Sequence, residues 1–123
     1  NSFEHGCINL HTALLPKYRG LMPSFWVMKN SELETGVSVF KVDEGIDSGP
    51  ILNQERITIN GFSQSELIEK TKLIGMKLLI KTIDDIASGQ EQYLENDNAK
   101  ATYFKFPTRQ DVKSFYASGK RFF

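Results

Sequence analysis

The sequence predicts an α/β chain, and three observations predict it. Residues 63–88 carry an apolar pattern of helical period behind a capping box, Ser63 with Glu66. Two runs rich in β-branched residues, 36–42 and 51–59, have turn formers on either side and read as strands. A short apolar pair, Cys7-Ile8, leads into polar residues at alternate positions, Asn9 and His11, as the end of a strand does.

With 123 residues there is room for one small domain and one core. Fifteen basic and fifteen acidic residues balance, so charge gives no support for a strong nucleic-acid footprint. The single cysteine, Cys7, cannot form an internal disulfide; in its apolar run it is expected to be a small buried hydrophobe in a reducing compartment. No apolar stretch approaches the roughly 18 residues of a membrane span, and no signal-peptide pattern is present. A soluble, cytoplasmic protein without a membrane partner is the expectation.

In chain order, residues 7–11 should end a strand, with Asn9 and His11 projecting from one face. Met22, Phe25 and Trp26 have the i, i+3, i+4 spacing of a buried helix face; Pro23 suits its first turn, and Lys29-Asn30-Ser31 should end it. Between the two strands, 43–50 is a loop with two glycines, one proline and three carboxylates. In the long helix, Leu67, Ile74 and Leu78 form a stripe that Ile68, Leu79, Ile83 and Ile86 widen, and it should cover the sheet. Gly75 inside it implies close packing against a neighbour, and Gly89 suits the stop. Residues 101–106 read as extended. Thr108 to Ser118 reads as a short helix, with Asp111 near the cap and Gly119 as a stop.

An amide and an imidazole aimed at one point can stabilise an oxyanion and supply a proton. The bland alternative is that Asn9 caps the strand end and His11 bonds its own loop. A metal site is the other reading, since His5, Cys7, Asn9 and His11 fall on one face. Geometry argues against it: at about 3.3 Å per residue, His5 and His11 stand roughly 20 Å apart, too far for one ion.

The pattern Asn9-x-His11-x-x-Leu14-Leu15-Pro16-x-x-x-Gly20, followed by Asp47-Ser48-Gly49-Pro50-Ile51, resembles the signature of the folate-dependent formyltransferases. Trp26 and Glu34-Thr35-Gly36-Val37 also match family positions, and the similarity is strong from Gly6 to about Ile59. Ala13 departs from it, since many members carry Ser there. The resemblance implies a partial formyltransferase-like, Rossmann-like sheet with flanking helices. It implies that residues 1–123 are the C-terminal portion of a catalytic domain whose N-terminal substrate-binding half is absent.

The activity implied is transfer of a formyl group from 10-formyltetrahydrofolate, as co-substrate, to a primary amine, a reaction of one-carbon metabolism and biosynthesis. Asn9, His11 and Asp47 match the catalytic trio, and no metal is needed. Asn9 would donate to the oxyanion, His11 would add charge, and Asp47 would hold His11 and favour its charged form. Glu44, Gly45, Ile46 and Asp47 lie in the loop that wraps the pterin in the family, and Gly45 and Gly49 would let backbone approach that flat ligand. Tyr18-Arg19-Gly20 and Phe25-Trp26 look like the methionyl-tRNA and sugar-nucleotide branches. The stretch after Phe106 is short beside the RNA-binding domain that methionyl-tRNA enzymes add, which favours a small-molecule amine over an aminoacyl-tRNA. A non-catalytic binding module that keeps the fold is the alternative. Without its other half, the strand near Ile8 should lack a neighbour and the chain should self-associate, or pair with that half, and be inactive unaided.

Overall fold

The computed structural model describes residues 6–123. Strand β1 (Ile8–His11) is followed by β2 (Arg19–Gly20), helix α1 (Pro23–Lys29), strands β3 (Glu34–Lys41) and β4 (Ile51–Thr58), and the long helix α2 (Gln64–Ala87). A 3₁₀ turn (Asn98–Lys100), strand β5 (Tyr103–Phe104) and helix α3 (Arg109–Ala117) complete it.

The local signals hold. Ser63 and Glu66 form a reciprocal capping box at α2, and Thr108 and Asp111 form one at α3. Each box satisfies backbone donors that a helix start otherwise leaves unpaired. Pro23 occupies the first turn of α1, and Asn30 ends that helix. Gly89 follows α2 and Gly119 follows α3, both at positive φ, where a residue without Cβ is unstrained.

The main sheet has the order β1-β3-β4. Both pairings are antiparallel, with Ile8 opposite Lys41, His11 opposite Ser38 and Glu34 opposite Thr58. This corrects one expectation: the strand at Ile8 is not left without a neighbour, because β3 runs back along it. Its other edge is unpaired among the described residues. Strands β2 and β5 form a separate two-residue parallel pair.

Helix α2 lies on the sheet. Leu78 packs with Val37, Val39 and Leu52, and Ile8, Leu10, Ile74, Leu79 and Ile86 border that cluster. The close packing implied at Gly75 is present, since a Cβ there would stand 2.6 Å from Leu10 Cδ2. The stripe is narrower than expected. Ile68 and Ile83 are about half exposed, and Leu73, Met76 and Ile80 are exposed too. The buried line of α2 instead includes Thr71 and Thr82, whose hydroxyls donate to Leu67 and Leu78 carbonyls within the helix. A second cluster joins α1 and α3: Ala13, Tyr18, Phe25, Trp26, Val27, Met28, Leu67 and Phe115. Trp26 is core, with its indole N–H donating to the Lys105 carbonyl at 3.0 Å.

Cys7 is exposed, not buried. It precedes β1, at the sheet's unpaired edge, where its apolar neighbours in sequence do not cover it. His5 lies outside the described residues. Among the described residues, no helix is long and apolar enough to cross a membrane.

Candidate active site

Ile8 and Leu10 face helix α2, so the alternation of β1 turns Asn9 and His11 to the opposite face of the sheet. His11 is buried, 8% exposed. Its Nε2 lies 2.6 Å from the Tyr18 carbonyl oxygen. A carbonyl only accepts, so Nε2 carries the proton of this bond. Nδ1 stands 3.6 Å from Asp47 Oδ2, close enough for a charge interaction and too long for a hydrogen bond. Nδ1 is therefore the ring nitrogen left for a reacting group: a proton acceptor when bare, a donor when protonated.

The Tyr18 carbonyl is held firmly. Tyr18 takes a left-handed backbone, φ 58°, and its N–H donates to Thr102 Oγ1 at 2.8 Å. Its ring stacks on Phe104, and its hydroxyl donates to Glu32 Oε2 at 2.7 Å and accepts from Asn30. Burial, then the Glu32 bond, pushes the Tyr18 phenol up to about 12, so it stays a neutral donor. The loop before it is tied from below. Ser38 Oγ on β3 donates to the Ala13 carbonyl and accepts from the Leu15 N–H and from Gln54 Nε2. Ala13 belongs to the apolar cluster around Phe25.

Asp47 arrives from the β3–β4 loop, also in a left-handed conformation, φ 53°. Its Oδ2 accepts from the Gly20 N–H at 2.8 Å, so β2 and this loop meet at the carboxylate. The structure thus brings His11 and Asp47 together. Asn9 shares the face of His11 but is exposed. Its Oδ1 accepts from the Leu10 N–H at 2.8 Å, and among the described residues its NH₂ group has no hydrogen-bond partner.

Glu44, Gly45 and Ile46 form the exposed crest of the same loop. Ile46, next to Asp47 in sequence, is 63% exposed, and Val42 at the start of the loop is 50% exposed. The two glycines also meet close approaches within the loop itself. A Cβ at Gly49 would collide with the Lys41 carbonyl, so the backbone's close approach demands glycine there, while one at Gly45 would meet the Ser48 hydroxyl. Asp43 draws the loop in, accepting from the Gly45 N–H and the Ser48 hydroxyl, and that hydroxyl first, then the N–H, lowers its carboxyl below the usual range.

Sequence reasoning missed the residues behind Asp47. Arg19 is fully buried, and its guanidinium donates to Asn96 Oδ1 and O, Asn98 Oδ1 and Tyr103 Oη. Asn96 in turn donates from Nδ2 to the carbonyls of Asp47 and Gly49, both at 2.8 Å. Only the cluster of Asn96, Asp97 and Asn98 marked this segment in sequence, and it reads as an ordinary turn.

Comparison with known proteins places these features in context. The family model described as "Formyl transferase" matches residues 1–83. A methionyl-tRNA formyltransferase of Kosmotoga olearia is 41% identical over 120 residues, 96% of this chain and 39% of its own. One from Thermodesulfovibrio yellowstonii is 51% identical over 87 residues, 70% of this chain and 28% of its own. The chain thus spans well under half the length of these curated relatives. Among solved structures, an N-formyltransferase from Helicobacter canadensis in complex with folinic acid and dTDP-3-aminofucose superposes with a TM-score of 0.75 at 32% identity, covering 85% of this chain and 38% of that one.

Proposed function

The chain belongs to the formyl transferase family, and from that premise we propose that its protein moves a formyl group from 10-formyltetrahydrofolate to a primary amine. The observation that carries the reading is His11, held by the Tyr18 carbonyl on Nε2 and facing the Asp47 carboxylate with Nδ1. Asn9, on the same face, presents amide hydrogens that would donate to the oxygen on which negative charge develops. His11, protonated on Nδ1, would add charge-assisted stabilisation there. Asp47 keeps one carboxylate oxygen clear of the Gly20 bond and would take part in relaying the proton from the attacking amine.

The folate supplies the formyl group and its leaving nitrogen. Glu44, Gly45, Ile46 and Asp47 form the wall we assign to it. The exposed Ile46, adjoining Asp47 in the chain, offers apolar surface to a flat ring, because covering such a side chain is favourable. The H. canadensis enzyme was solved with folinic acid, which supports a folate donor.

The amine is that of a sugar nucleotide or of methionyl-tRNA, the substrates that the relatives' names carry. The domain is completed by a further portion that covers the open edge of β1 and the exposed face of α2 formed by Leu73, Met76, Ile80 and Ile83. The protein works in the cytoplasm, in one-carbon metabolism. The test is to incubate the full-length protein with 10-formyltetrahydrofolate and, separately, methionyl-tRNA and dTDP-amino sugars, and to detect the formamide by mass spectrometry. Formylation of one amine is expected. No product with any of them, alongside intact folate-analogue binding, would leave a non-catalytic binding module instead.

A further inference from the structure

Asp47 carries its carboxylate from a backbone that side chains rarely adopt. A residue with a Cβ at φ 53° persists only when its surroundings over-determine it. The Gly20 N–H fixes one end of the side chain. The main chain is fixed by Asn96, whose two Nδ2 hydrogens serve two acceptors, the carbonyls of Asp47 and of Gly49, each at 2.8 Å.

Asn96 has no freedom to turn over. Its Oδ1 accepts from Arg19 Nη2 at 2.6 Å, a charge-assisted bond, and its own carbonyl accepts from the same nitrogen at 3.3 Å. A flipped amide would set hydrogens against a guanidinium and an oxygen against two carbonyls. Arg19 is 0% exposed, yet the acceptors around it are neutral: Asn96, Asn98 Oδ1 at 2.8 Å and Tyr103 Oη at 2.9 Å. Buried charges are ordinarily paired with an opposite charge. Here the guanidinium is spent on orienting amides, and a donor polarised by it holds the loop more strongly. Arg19 also belongs to β2, next to Gly20, so one strand sets both ends of Asp47.

We propose that Asn96, oriented by the buried Arg19, is the positioning residue for Asp47: it holds the loop in the conformation that aims the carboxylate at His11. Asn96 does not itself meet the substrate. This inference rests on the reading of Asp47 as part of a formyl-transfer site.

The test is a double-mutant cycle in the full-length protein, assayed with the amine it formylates. Asn96→Asp keeps the shape and a partner for Arg19 but turns two donors into an acceptor facing two carbonyls. It should lower kcat by about tenfold to a hundredfold, the scale of a small misplacement of a reacting group, and leave KM for the amine within about twofold. In the Asp47→Asn background the same change should cost nothing further, because its effect passes through Asp47. The Gly20 amide proton, which reports on the carboxylate, should move in the NMR spectrum of Asn96→Asp. Should that variant not fold, Asn96→Ser, too short to reach both carbonyls, must show the same non-additivity. A kcat within twofold of the parent, a full extra loss in the Asp47→Asn background, or a loss accounted for by the unfolded fraction would overturn the proposal and leave the formyl-transfer reading standing. An Asp47→Asn enzyme of parental rate would overturn both, and that single variant tells the two failures apart.

Discussion

Removing one oxygen from the middle of the fold should loosen the loop that holds His11. Ser38 is fully buried on β3, and its hydroxyl serves three partners. It donates to the Ala13 carbonyl at 2.7 Å and accepts from the Leu15 N–H at 3.1 Å and Gln54 Nε2 at 2.9 Å. Ser38→Ala introduces no clash and leaves a void smaller than a water. Gln54 keeps its second bond, to the Leu15 carbonyl. The Ala13 carbonyl and the Leu15 N–H belong to buried residues and lose this partner. At roughly 1–3 kcal/mol for each buried group left unmade, the variant should lose about 3 kcal/mol. That is a large share of the 5–15 kcal/mol typical of a domain, and about 12 °C in Tm at roughly 4 °C per kcal/mol. Thermal unfolding followed by circular dichroism measures it, with Ser88→Ala as the control, since that hydroxyl bonds helical carbonyls in solvent and should shift stability by less than about 0.5 kcal/mol. A Ser38→Ala melt within about 2 °C of the parent would refute the claim that this hydroxyl anchors the loop.

Other outcomes follow from the same contacts. Gly75→Ala gains helix propensity of about 1 kcal/mol but drives a methyl to 2.6 Å from Leu10 Cδ2, so a net loss near 1 kcal/mol is expected in denaturant unfolding; a stabilised variant would mean the helix has room to move off the sheet. On the acid side, the carboxyls of Asp111 and Glu66 are lowered chiefly by the capped N–H groups of Thr108 and Ser63, and that of Asp43 by the Ser48 hydroxyl. Groups with depressed values add stability above their unfolded pKa, 3.8 for Asp and 4.5 for Glu, and lose it as pH falls through the folded value, so Tm should drop on acidification below pH 4.5, and less so in Asp111→Asn. On the alkaline side the sign is opposite: the phenol of Tyr18, at about 12 when folded against an ordinary 10.0, adds stability that is lost as pH rises from 10 to 12, and Tyr18→Phe should flatten that limb. Sedimentation of the chain alone should show self-association through the β1 edge and the apolar face of α2, and a monodisperse monomer would contradict it.

What the sequence made legible was local. The capping boxes at Ser63 and Thr108 fix helix starts through residues three apart, and both helices begin where those boxes place them. The β-branched runs mark β3 and β4 because their pattern needs no partner to be seen. The direction of pairing was not legible, since β1 meets β3 across a loop and a helix and nothing in four residues encodes antiparallel order. Cys7 was misjudged for a related reason: apolar neighbours in sequence say nothing about which edge of a sheet lies open. The half-exposed Ile68 and Ile83 show that a periodic stripe on α2 can be wider than the surface beneath it. At the site, the motif pointed to His11 and Asp47, which the structure brings within 3.6 Å. It named Arg19 only as part of a branch resemblance and said nothing of its bond to Asn96, which joins residues far apart in sequence.

The central claim is that His11, with Asn9 beside it, performs chemistry rather than tying down a strand end. Turnover of Asn9→Ala and His11→Ala, measured as formyl transfer from 10-formyltetrahydrofolate in the full-length protein, tests it most directly. Asn9 is exposed, and among the described residues its side chain bonds only its neighbour's N–H, so its removal should leave the fold intact while slowing kcat about a hundredfold or more. His11→Ala should do at least as much. Both variants folded and formylating amines at near the parental rate would contradict the account.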